Sequence, residues 1–173
     1  MSKTVLNAIS ILCLASMIGG VILILICLFN FSWFELVIQE NIDVPIQWHT
    51  VERWQWYSLW GLTTAFLLFG LCGVYYLFLS VRGISAAGLF DLKNSVYLRR
   101  FALIALSQVI LKPMCFTLAI IILSWNHPAG QKMLVISVGS EQVSTLILGL
   151  IIWVMSDMLV AGNELDVENK HFI

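Results

Sequence analysis

The chain reads as an all-α membrane protein built as a bundle of four transmembrane helices. Four long apolar runs, at 4–29, 57–81, 101–124 and 143–161, carry that reading. Only two charged residues, Lys112 and Asp157, fall inside them. A bilayer core takes about 20 helical residues to cross, and each run is long enough. Hydrophobic residues make up 60% of the chain and charged residues 11%, with a mean hydropathy of +0.94. Soluble domains carry about 25% charged residues, so a water-soluble globule is excluded. The 173 residues leave room for one domain of spans at about 4–29, 57–81, 98–124 and 142–162, and for no second domain.

The first span is longer than the roughly 7–15 apolar residues of a cleaved signal peptide, and Leu28-Phe29-Asn30-Phe31-Ser32-Trp33 is a poor cleavage site. It is therefore expected to be retained. Ala15-x-x-x-Gly19 and Ser16-x-x-x-Gly20 in this span, and Gly61-x-x-x-Ala65 with Gly70 and Gly73 in the second, are spaced to let another helix backbone approach closely. The pattern serves packing inside the bundle or against a partner equally well. Cys13, Cys27, Cys72 and Cys115 all lie in spans and form no Cys-x-x-Cys pair, so they read as small packing residues.

The loops at 30–56 and 125–141 connect the spans on one side. Ile42, Val44, Ile46 and Trp48 alternate with polar residues, a period of two that predicts a strand with Pro45 at its edge. The run Lys132–Val138 predicts a second short strand. The two are expected to pair as a small extracytoplasmic β cap, supported by the helix ends. Ser140 is expected to cap the fourth span, with Glu141 favourably placed at the positive helix N-terminus.

A connector at 82–97 and a tail at 163–173 lie on the opposite side. Asp91 or Asn94 is expected to cap the third helix. The tail interleaves Leu165, Val167, Phe172 and Ile173 with charges, which suits packing on the membrane face or strand pairing with another chain. Lys3, Arg82, Lys93, Arg99, Arg100 and Lys170 fall on this side, against Arg53 and Lys132 on the other. By the positive-inside rule both termini face the cytoplasm, as expected of a bacterial inner-membrane protein. Trp33, Trp54, Trp56, Trp60 and Trp125, with Trp48 nearby, gather near the outer boundary as an interfacial aromatic belt, while Arg99 and Arg100 sit where lipid phosphates lie.

Lys112 lies near the middle of the third span, where a charge costs roughly 2.5–3.5 kcal/mol on insertion scales. It should face the bundle interior or water. Pro113 follows; lacking an N–H, it frees the carbonyl of Val109 and favours a kink. Gln108 is one turn away on the same face. The expectation is one buried polar cluster of Gln108, Lys112 and Asp157 between the third and fourth helices. Such a cluster either fastens helix rotation or serves transport or sensing. The alternative is that Asp157 reaches cytoplasmic water and Lys112 is neutral.

The stretch Gly88-Leu89-Phe90 with Asn94 and Leu98-Arg99-Arg100, and the ending with Asp157, Gly162, Leu165, Glu168-Asn169 and Ile173, resemble a small bacterial four-helix inner-membrane family catalogued as a domain of unknown function. Members of that family commonly carry glutamate at the position of Asp157 and a basic residue before the glycine, where this chain has Leu159-Val160-Ala161. The resemblance implies pairing with a helix-turn-helix regulator and offers no catalytic residues to carry over.

His49, His127 and His171 all fall outside the spans, so haem ligation within the bundle is not expected, and no spacing suggests zinc or a nucleophile. No cofactor and no direct nucleic-acid binding are expected. The favoured reading is a non-enzymatic accessory or signal-relay protein, with the lipid bilayer, a regulator, another membrane protein or a second copy as partners. A small-solute or ion transporter using Lys112, Gln108 and Asp157, and a membrane immunity-type protein, are the alternatives.

Overall fold

The computed structural model describes residues 3–42, 44–87, 92–128 and 130–171. The Gly88-Leu89-Phe90 motif, Asp91, Asp43 and the terminal Phe172 and Ile173 lie outside the described residues. Five α-helices run in the order α1 (Lys3–Phe29), α2 (Phe31–Asn41), α3 (Arg53–Ala87), α4 (Leu92–Leu123) and α5 (Ser140–His171). All but α2 are long and apolar enough to cross a membrane, which makes this a multi-pass membrane protein. The helices form a row: α1 packs on α3, α3 on α4 and α4 on α5, and no comparable contact joins α1 to α5.

Glycines set the spacing within that row. A Cβ added at Gly73 would stand 3.0 Å from Ile104 Cγ2, one at Gly149 2.8 Å from Leu106 Cδ2, and one at Gly20 2.7 Å from Leu71 Cδ2. Gly19 and Gly61, by contrast, face open space. Of the predicted pattern, Gly20, Gly70 and Gly73 therefore serve internal packing, and Gly19 and Gly61 lie on the surface.

Asn30 separates α1 from α2. It leaves helical geometry (φ −126°, ψ 76°), and its Oδ1 accepts from the Trp33 N–H at 3.4 Å. The predicted outer loop thus contains a helix, whose Phe34 packs with Ile46, Trp56, Leu59, Ile120 and Leu123 into a core at this capped end. Trp48 stacks on Trp56 with ring centroids 6.1 Å apart.

The predicted β cap is corrected, since there is no strand among the described residues. Around Ile46 the backbone closes on itself through two tight turns, Ile46 N–H to Val44 O at 2.7 Å and Trp48 N–H to Ile46 O at 3.1 Å. The intervening Gln47 N–H donates to Nε2 of the buried His127 at 3.2 Å. His127 Nδ1 then carries the proton and donates to Gln131 O at 3.3 Å. Alternating apolar residues here fill a core without needing a neighbouring strand. The run 131–139 is extended but lies along α4, where the Ser124 and Thr117 hydroxyls reach the carbonyls of Met133 and Val135.

Gln55, fully buried, joins both connections. Its Oε1 accepts from the Glu52 N–H (2.6 Å) and Asn126 Nδ2 (3.2 Å), while Nε2 donates to Ile122 O (2.5 Å). One side chain thereby caps the start of α3 and the end of α4. The same reciprocal device starts α5, where Gln142 Oε1 accepts from the Gly139 N–H at 2.7 Å. Ser140 is therefore the first helical residue and not the cap.

At the opposite, basic end the helices outrun the predicted spans. α3 continues to Ala87 and α5 to His171, so the tail is helical rather than strand-like. Asn94 lies inside the first turn of α4, not at its cap, and an added Cβ at Gly83 would collide with its Oδ1. Ser95 and Ser156 exchange hydrogen bonds to each other's carbonyls at 3.0 and 2.9 Å. Such reciprocal pairs fasten α4 to α5 where apolar packing alone has little directionality.

Two stability outcomes follow. Gly149→Leu should lower stability by about 1–3 kcal/mol through overpacking against Leu106, whereas Gly19→Ala should change it by less than about 0.5 kcal/mol. Gln55→Leu should cost about 2 kcal/mol or more by orphaning the Glu52 N–H and the Ile122 carbonyl. Reversible unfolding in mixed micelles measures all three.

Candidate functional site

Register between the antiparallel helices places the polar groups by depth. Gln55 meets Ile122, a Cβ on Gly70 would meet Gln108 Nε2 at 3.0 Å, and Ser95 meets Ser156. About 16 Å of helix separates Lys112 from the end of α4 at Leu123. Lys112 is level with Phe66, which lies about 9 Å along α3 from Trp60. It therefore stands within the apolar layer, displaced from the middle of α4 toward the capped end.

The counter-charge is Glu141, not Asp157. Lys112 Nζ donates to Glu141 Oε2 and forms an ion pair with it. Asp157 lies about 24 Å further along α5 and is next to Ser156, at the level of Ser95. The predicted cluster thus retains Gln108 and Lys112 and loses Asp157, which sits at the basic end. The physical reason is the course of 131–139. This apolar run descends beside α4, so α5 begins inside the apolar layer with its first acidic residue beside Lys112. The N-terminal end of α5 also favours a carboxylate electrostatically.

Lys112 is 50% exposed and Glu141 73% exposed, so the pair lies on the protein surface rather than in its interior. It borders a cleft of about 210 Å³ lined by Phe66, Gln108, Val109, Gln142 and Thr145. Phe66 and Gln108 also line a groove of about 450 Å³ that includes Ser16, Gly19, Gly20 and Gly70. The two depressions meet at Gln108 and run across the row from α1 to α5. α4 is continuous through Pro113, whose carbonyl lies 2.9 Å from Thr117 Oγ1.

The expected interfacial anchors divide. Trp33, Trp54 and Trp125 are exposed, as a belt requires, and Lys132 lies over the Trp125 ring at 5.2 Å. Trp56 is buried in the capped core and Trp60 is half-buried, so these two face the protein. Arg99 stands 5.0 Å over the Trp153 ring and Arg100 5.4 Å over Tyr76. Cation–π contact holds both guanidinium groups at the basic end. Among the described residues no group of three or more His, Cys, Asp or Glu side chains gathers.

The ion pair predicts a coupled response. Lys112→Met and Glu141→Leu should each destabilise α4–α5 packing by leaving an unpaired charge in the apolar layer, and the double variant should recover much of the loss. A double-variant cycle on unfolding in micelles reads the coupling, and strictly additive losses would contradict it.

No family model matches the chain, and neither does any curated protein or solved structure.

Proposed function

We propose that this is a non-enzymatic accessory protein that captures a transmembrane helix of another membrane protein along the groove from Gly19 and Gly20 to Gln108, Lys112 and Glu141. The observation that carries the reading is the half-exposed Lys112–Glu141 pair within the apolar layer. Hydrocarbon is a costly neighbour for such a pair, so it calls for a covering surface. Small residues beside polar side chains are what a packed helix requires: close backbone approach and interhelical hydrogen bonds. The row of helices leaves that side open.

The distribution of basic residues supports a bacterial inner-membrane orientation with cytoplasmic termini. The resemblance of the connector and ending to the uncharacterised family extends the proposal to a helix-turn-helix regulator as a cytoplasmic partner. An immunity-type role is the same capture with a toxin as the occupant. Passage of a small solute is the second reading, favoured by the start of α5 inside the apolar layer beside a polar cleft.

A photo-cross-linking residue at Gly19 or at Thr145 should trap the same membrane protein at native abundance. The same residue at Ile18, on the other side of α1, should not. Lys112→Met should reduce the trapped product several-fold. Labelling of lipid alone from both groove positions would count against helix capture. Solute flux in proteoliposomes that Lys112→Met abolishes would favour the second reading.

A further inference from the structure

A separate cleft opens between α1 and α3 toward the basic end. The two helices are antiparallel and Gly20 meets Leu71, which brings Asn7 and Ser10 level with Ser85 and Arg82. These four polar side chains line the end of the cleft nearer water, and Leu14 and Phe78 continue it toward the middle of the bilayer. Its volume is about 480 Å³, within the roughly 300–1,000 Å³ of small-molecule sites.

Arg82 is exposed and makes no ion pair, hydrogen bond or cation–π contact among the described residues. Arg99 and Arg100, by contrast, are each held over an aromatic ring. The hydroxyls of Ser58, Ser107 and Ser144 on other stretches of helix donate to the carbonyl four residues back. The hydroxyls of Ser10 and Ser85 and the amide of Asn7 make no hydrogen bond among the described residues. One guanidinium, one amide and two hydroxyls thus border the same cleft with their donors unused, and no carboxylate is among the described residues that line it. Arg82 lies about 42 Å along α3 from the exposed Trp54, at 1.5 Å per residue. A bilayer with its headgroup layers is about 40–45 Å thick, so with Trp54 at one interface Arg82 stands among the phosphates of the other.

We infer that this cleft seats one anionic phospholipid, its phosphate paired with Arg82 and accepting from Asn7, Ser10 and Ser85. An acyl chain of that lipid lies over Leu14 and Phe78. A planar guanidinium can engage two phosphate oxygens at once, and basic pockets between spans hold anionic headgroups. A zwitterionic headgroup is the poorer fit, because a cleft with a cation and no carboxylate gives its ammonium no counter-charge. The seat does not rest on helix capture by the groove, which lies nearer the middle of the bilayer.

The test reconstitutes the natural chain into vesicles of phosphatidylglycerol and phosphatidylcholine in equal amounts with matched chains. Native mass spectrometry after gentle extraction then counts retained lipid. One phosphatidylglycerol per chain should persist, several-fold over phosphatidylcholine. Arg82→Gln should remove that preference, whereas Arg99→Gln, which takes the same charge from the same end, should leave it in place. Ser10→Leu fills the cleft without changing charge and should lower phosphatidylglycerol retention several-fold. Excess inorganic phosphate, which has no acyl chain, should not displace the lipid; displacement would assign the cleft to a soluble anion and count against a lipid. Equal retention of the two lipids by the natural chain would overturn the proposal, as would equal losses from Arg82→Gln and Arg99→Gln. The comparison of lipids uses no substitution, so it can refute the seat even where a variant fails to fold.

Discussion

A lysine placed within an apolar layer constrains everything near it. Its charge needs an opposite charge at the same depth, and in this protein Glu141 supplies it. For Glu141 to be there, the chain must travel back down beside α4 before it turns helical. The extended run 131–139 makes that journey, held by the hydroxyls of Ser124 and Thr117 instead of a neighbouring strand. The start of α5, the polar cleft and its continuity with the α1 groove all follow from where that pair forms.

The capped end solves a different problem, that of ending helices where water is scarce. Gln55 satisfies donors at the start of α3 and acceptors at the end of α4 with one amide. His127 and Gln47 join the two connections above it, with Gln47 Nε2 donating to Gln131 Oε1 at 2.9 Å. Gln55 and His127 are buried, Gln47 is half-buried and Gln131 is exposed, and each finds a partner, which is the condition for a polar network to hold a fold together. The aromatic pair of Trp48 and Trp56 then seals the side facing α2.

The four spans were legible because length and hydropathy report directly on lipid. Their ends were less so, since a helix continues through the headgroup zone on its own hydrogen bonds after the apolar signal has stopped, as α3 does past Val81. Alternation at Ile42–Trp48 and the β-prone run Lys132–Val138 signalled apolar contact but not its form: turns and hydroxyl partners replaced a ladder. Tryptophans divided between belt and core because the same amphipathic ring suits both, and only tertiary contacts separate Trp56 from Trp54. Within the candidate site Gln108 and Lys112 were readable from helical spacing. Glu141 was missed because a run as apolar as Met133–Val138 was placed outside the membrane; its hydropathy was the signal that α5 starts lower.

The ion pair also bears on how the chain enters a bilayer during synthesis. Lys112 precedes its partner by 29 positions, with the whole of the second connection in between. A third helix released into lipid alone would carry an uncompensated cation, whereas a hairpin of the third and last helices released together enters electrically balanced. Entry of α4 and α5 as one hairpin therefore avoids the roughly 2.5–3.5 kcal/mol that an unpaired lysine costs in lipid.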